Sequence, residues 1–253
     1  MRYRNRLFVT CAAVALLAAS IGLAASIGLA ATKKAKPLDS IWVHPGFPDL
    51  GVDRIGVLPV ATFDNSFEAE QTVAQTFGQA FRSTGYRWIS AGTTRELLLQ
   101  RANGTDSLVK ALKAELLKIG RVDSLEAKTL CAWLHTSAVL SLRVDQWERQ
   151  QVEWNQTGKP FTQVELRAAL VNSGGRLLWS AAGSNKGEGS YNDPNNAGVA
   201  GVTVSGLDTK PITAQVGAPP FPEVVLPLLT RWAEAFPVKR APADSSAGGG
   251  GTK

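Results

Sequence analysis

Cysteine, histidine and methionine are nearly absent: the 253 residues hold two Cys, two His and one Met. Cys11 lies in an apolar amino-terminal run, which leaves Cys131 alone in the rest of the chain. A lone thiol closes no internal disulfide, so the core must come from packing. Cys131 is expected as a small buried helix residue, free cysteine being among the most buried residue types. His44 and His135 have neither Cys nor carboxylate at ligand spacing, which excludes a recognisable metal site and leaves no cofactor to expect. No G-x-S-x-G elbow occurs, and the glycine-rich Gly183-Ser-Asn-Lys-Gly-Glu-Gly189 lacks the Lys-Ser/Thr end of a phosphate loop. Charge is also sparse, at 19% of residues. Removing Arg2, Arg4 and Arg6 lowers the formal charge from +6 to +3, and the remaining positive residues are scattered rather than interleaved with aromatics, so no nucleic-acid partner is expected.

What the chain does have is an address. Met1 to Arg6 carries three arginines and no acid, Leu7 to Ala31 runs without a charge, and the small residues Gly28 to Ala31 precede Thr32-Lys33-Lys34. That order is an export signal over 1–31, cleaved near Ala31 to Lys33. Because roughly 20 apolar residues span a bilayer, the same run is long enough to stay as an uncleaved anchor, the one route by which this chain would meet a membrane. The location predicted is periplasmic or secreted. Cys11 follows Phe8-Val9-Thr10 and precedes most of the apolar run, the wrong end of the segment for lipid attachment.

After the signal, 32–52 with Pro37, Pro45 and Pro48 reads as an extended tether. A single α/β domain is expected over 53–237, and 44% hydrophobic residues suffice for one core. Arg54 to Val60 has the pattern of a buried first strand. Asn65 and Glu68 have capping-box spacing before the Val73, Phe77, Phe81 stripe that Gly85 stops, and Thr93 with Glu96 repeats the spacing. Leu108, Leu112, Leu116 and Ile119 form a further helical stripe, and Asp123 with Glu126 caps a helix bearing Ala127, Leu130, Cys131 and Leu134. His135 falls at the end of that helix, where it interacts with the carbonyl-rich terminus. From Ser137 the period becomes two, in Leu140, Leu142 and Val144, then in Val164 to Leu170, with a third strand over Arg176 to Ala182. A mobile loop is expected over 186–218, a final helix over Pro222 to Phe236, and a disordered Gly-rich tail over 238–253. The fold class is α/β (α+β): a mixed sheet of about five strands covered by helices, ending in a three-strand antiparallel meander and a carboxy-terminal helix.

The least ordinary segment is Asp145-Gln-Trp-Glu-Arg-Gln-Gln-Val-Glu-Trp154. Tryptophan is a preferred interface anchor, which makes Trp147, Arg149 and Gln151 the candidate partner contacts. An odd separation places Trp147 and Trp154 on opposite faces of a regular strand. The two cannot both serve one flat interface unless a bulge intervenes, and the Leu140, Leu142, Val144 alternation gives Trp154 the buried, structural register and Trp147 the outward one. Glu148 and Glu153, beside Arg and Gln, read as a solvated face.

Val57-Leu58-Pro59 before a helix, Arg82-Ser-Thr-Gly-Tyr-Arg-Trp88, Ala138-Val139-Leu140 and Ala168-Ala-Leu-Val-Asn-Ser-Gly-Gly-Arg-Leu-Leu-Trp-Ser180 occur in the order found in a bacterial envelope family. Over Asp53 to Tyr191 the chain resembles the DUF799-type lipoproteins, and more distantly the curli secretion-channel lipoprotein and the penicillin-binding-protein activator lipoproteins. The resemblance implies an α/β envelope domain that docks on other proteins and has no catalytic residues to carry over. The absent lipid-attachment cysteine departs from it. The function expected is a non-enzymatic exported domain that binds another envelope protein or its own copies. One rival is an envelope hydrolase with polar residues converging near His135 and Asp145; the other is a small-ligand or glycan-binding module built on tryptophan.

Overall fold

The computed structural model describes residues 39–153, 156–191 and 217–239. The signal segment, most of the expected mobile loop, almost all of the tail, and Trp154 lie outside them. Seven strands make one mixed sheet in the order β1-β7-β6-β5-β2-β4, with β3 paired to β5 off that path. They are β1 (Ser40–Val43), β2 (Arg54–Val57), β3 (Ala61–Thr62), β4 (Arg87–Ile89), β5 (Ala138–Gln150), β6 (Phe161–Asn172) and β7 (Leu177–Glu188). The helices are α1 (Phe67–Ala80), α2 (Ala91–Arg101), α3 (Ser107–Ile119), α4 (Ser124–Leu134) and α5 (Phe221–Glu234). Strands β2, β4 and β5 run parallel, since helices connect them; β5, β6, β7 and β1 run antiparallel. None of the described helices is long and apolar enough to cross a membrane.

Alternation along β5 divides the core in two. Ala138, Leu140, Leu142 and Val144 face a cluster that includes Val73 and Phe77 of α1 and Val225, Leu228 and Trp232 of α5. Val139 faces the other way, onto Leu98 of α2, Leu112 and Leu116 of α3 and Leu130 and Cys131 of α4. The first cluster is aromatic at its centre: Phe77 stacks on Phe81 at 4.2 Å, and Trp179 meets Trp232 edge-on at 6.2 Å. On the second face the helix-packed cluster takes from β5 and β6 only Val139 and Val171. Farther along, the outward positions of β5, β6 and β7 carry Arg143, Arg167, Glu165, Ser180 and Ala182.

Several elements differ from the pattern read in the sequence. The stretch taken as tether contains β1, paired antiparallel to β7, and a 3-10 turn, Phe47–Asp49, whose Phe47 is buried against Tyr86 and Phe236. The first strand stops at Val57 and resumes as β3, because Pro59 has no amide to donate to the ladder. The α1 cap is Ser66, whose hydroxyl accepts from the Ala69 amide, while Asn65 takes a left-handed turn at φ 56. Ser90, not Thr93, caps α2. On α3, Val109 joins Leu112 and Leu116 in the core; Leu108 is half-buried and Ile119 exposed. The third meander strand is longer than expected and runs to Glu188, which moves the start of the loop beyond it. Asp123 caps α4 as its spacing predicts, accepting from the amides of Leu125 and Glu126 at 2.7 and 2.9 Å.

Candidate docking surfaces

The Trp147 assignment is reversed by one residue. The β5–β6 register shifts between Val144 and Gln146, so Asp145 is an extra residue on β5, a bulge. An extra residue swaps the faces of everything beyond it. Trp147 therefore pairs with the buried Val164, packs on the α5 side of the sheet and stacks on Phe221 at 4.0 Å with the rings 12° apart. Its indole N–H is buried without an acceptor.

The other two partner candidates are also engaged within the chain. Arg149 Nη2 donates to the Ala218 carbonyl at 2.8 Å, and Gln151 Oε1 accepts from the Ala218 amide at 2.9 Å. Thr162 Oγ1 donates to the next carbonyl, Pro219, at 2.5 Å. These side chains fix the backbone that enters α5, where Pro220 stands at the cap position and makes no side-chain hydrogen bond. Trp147, Arg149 and Gln151 thus form one unit that seats the last helix.

Asp145 is held between two guanidinium groups, Arg143 Nε and Arg167 Nε, each 2.6 Å from a carboxylate oxygen. Arg143 also donates to the Leu117 carbonyl at 3.1 Å, joining the bulge to α3. His135 does not converge with it. The residues from Ala138 to Asp145 span about 23 Å at strand rise, and no described hydrogen bond or ion pair joins His135 to an acid or a serine. His135 is instead exposed, ending α4 in the left-handed conformation at φ 51 and ψ 49. Such a conformation strains any side-chain-bearing residue, so His135→Gly should raise stability by about 0.5–1 kcal/mol, read as a higher thermal midpoint. A lower midpoint would show that the imidazole contributes more than its backbone costs. Cys131 is buried on α4, and burial pushes its thiol pKa up.

A surface the sequence reading passed over lies on the second face of the sheet. Among the described residues strand β1 is the end of the sheet, paired to β7 alone. Ile41 packs toward the core, so Trp42 points to the opposite face, where it is 44% exposed and meets His44 edge-on at 6.0 Å. Beside it an open groove of about 410 Å³ has a floor of small residues, Ser40, Ala169, Ser180 and Ala182, between Ile119 and Arg167. Arg121, on the connection from α3 to α4, lines the same groove and forms no hydrogen bond or ion pair among the described residues. The signal for β1 was available: Ile41-Trp-Val43 is a run of β-formers, obscured by the prolines around it.

Comparison with solved structures finds matches at low identity and low structural overlap. The lipoprotein GNA1162 from Neisseria meningitidis is 20% identical with a TM-score of 0.40, over 54% of this chain and 83% of that one. PelC from Paraburkholderia phytofirmans, solved as a dodecamer, is 15% identical with a TM-score of 0.38, over 81% of this chain and 100% of that one. The hypothetical protein CT253 from Chlamydia trachomatis is 14% identical with a TM-score of 0.33, over 58% and 81%. No family model matches the chain, and no curated protein does. No family model shows the DUF799-type resemblance read from the sequence.

Proposed function

We propose that this protein is a non-enzymatic, exported domain of the bacterial cell envelope that docks on another envelope protein or on its own copies. The observation that supports this is the β1 edge with Trp42 and the adjoining groove. Ser40 to Val43 carries no charge, proline or bulge, the devices by which sheet edges are ordinarily protected from pairing with another chain. An exposed tryptophan beside an unpaired backbone supplies both an anchor and a hydrogen-bonding ladder. The export segment supports the location.

Sedimentation of the protein with and without an envelope extract tests this reading. Association is expected, either with itself or with a component of the extract, and Trp42→Lys should weaken it at least tenfold, the loss of one central anchor being worth roughly 2 kcal/mol. Since Trp42 is largely outside the core, the variant should melt within about 0.5 kcal/mol of the parent. A monomer under both conditions, or association indifferent to Trp42→Lys, would overturn the reading. A reporter fused after Lys36 should be active only outside the cytoplasm.

A further inference from the structure

A second surface, independent of the sheet edge, lies between α3 and α4. The two helices follow each other across a short connection, and side chains of both line a groove of about 270 Å³. Leu108 and Leu112 form one wall, one turn apart on α3; Leu125, Thr129 and Trp133 form the other, at successive turns of α4, with Leu130 at the base. Leu125 is 75% exposed, the most exposed of the large apolar residues described. A leucine left in water at the mouth of an apolar groove is surface that a partner would bury.

The two charged residues that line the groove are both acids. Asp123 and Glu126 line it, and Glu115 is near enough to act on Glu126. Neither Glu115 nor Glu126 has an ion pair or side-chain hydrogen bond among the described residues. Burial, with the fields of Asp123 and Glu115, pushes the Glu126 carboxyl above its usual range. Asp123 is taken up as the α4 cap, but Glu126, which no cation pairs among the described residues, favours a partner that brings one. Asp123 and Glu126 lie at the start of α4, whereas Trp133 lies in its last turn. From Glu126 to Trp133 is seven residues, or about 10 Å of helix.

We infer that the α3–α4 groove is a docking site for a basic amphipathic helix of a partner protein, its apolar face against Leu108, Leu112, Leu125 and Trp133 and a Lys or Arg about two turns away against Glu126 and Glu115. An amphipathic helix laid into an apolar groove is a common recognition mode. An arginine or lysine there supplies the missing counter-charge, and its aliphatic stem covers Leu125.

The test uses the full-length protein and a fluorescein-labelled helical peptide of about 18 residues, five turns, with leucines on one face and lysines flanking them. Its counterpart carries glutamate for each lysine. The lysine peptide should bind and the glutamate peptide should bind at least tenfold more weakly. Leu125→Asp should reduce binding about tenfold, as should Glu115→Gln with Glu126→Gln, while Glu68→Gln, an exposed acid on α1, should leave it unchanged. Both altered sites are exposed or isosteric, and unchanged far-ultraviolet circular dichroism establishes that the variants fold. Equal binding of the two peptides, or no loss with either groove variant, would overturn the inference. So would peptide binding lost with Trp42→Lys, which puts the peptide on the sheet edge. Self-association abolished by Leu125→Asp would also overturn it, by assigning the groove to a second copy; the sheet-edge reading stands or falls separately, on Trp42→Lys alone.

Discussion

Trp147→Ala should destabilise the protein by about 3 kcal/mol, measured as the free energy of chemical unfolding. The indole packs on the α5 side of the sheet and stacks on Phe221 at 4.0 Å. Truncating a fully buried aromatic costs 3–5 kcal/mol. Trp147 is half-buried, which lowers that figure, while the stacked pair adds about 0.5–1.5 kcal/mol beyond area. Trp147→Phe gives the sharper reading. The indole N–H is buried without an acceptor, a defect that costs about 1–3 kcal/mol and that phenylalanine does not have. The phenylalanine variant should therefore be near neutral while the alanine variant is not. If Trp147→Ala is as stable as the parent, α5 is held by other contacts and the stack contributes nothing.

The reversal of Trp147 shows where sequence periodicity stops being informative. Helices α1, α3 and α4 and the two-residue alternation in β5 and β6 are local, and each is legible from spacing and caps. The bulge at Asp145 is not. It is fixed by Arg143 on the same strand and by Arg167, 22 residues away on β6, a long-range pairing that leaves no mark on the period within β5. One misplaced parity then moved Trp147 to the wrong face, and Arg149 and Gln151 followed it into the partner surface. Strand β1 was lost for another reason. Its pairing to β7 joins residues about 140 positions apart, and the prolines nearby outweigh three good β-formers, Ile41, Trp42 and Val43. The exposed face of β1, and with it Trp42, became visible only once β7 was known to lie beside it. The α3–α4 groove was half legible: the stripe of α3 was seen, but Leu108 was assigned to the core in place of Val109, one position away.

Gly175→Ala should be at least as costly as Trp147→Ala, about 3 kcal/mol or more, although it adds one methyl group. Gly175 sits in the β6–β7 turn at φ 78, a left-handed conformation that costs an L-residue roughly 1–2 kcal/mol. A β-carbon there would stand 2.5 Å from Ser124 Cβ and 2.8 Å from Ser124 Cα. Neither atom is the end of a flexible chain, so the turn or the first residue of α4 has to move. Movement breaks the hydrogen bond from Ser124 Oγ to the Gly175 carbonyl, now 2.8 Å. Overpacking of this kind adds typically 1–3 kcal/mol to the backbone strain. The neighbouring Gly174 is the control, because a β-carbon there meets nothing closer than 3.3 Å, the Asn172 side-chain oxygen, and its φ is not in the left-handed range. Gly174→Ala should cost under about 1 kcal/mol. The contact also has a functional reach: Ser124 begins α4 and adjoins Leu125, so displacing it shifts one wall of the α3–α4 groove. Gly175→Ala should weaken binding of the lysine peptide under conditions where the variant is still folded, and Gly174→Ala should not. Equal unfolding free energies for the two variants would mean that the turn and α4 are not in contact as described.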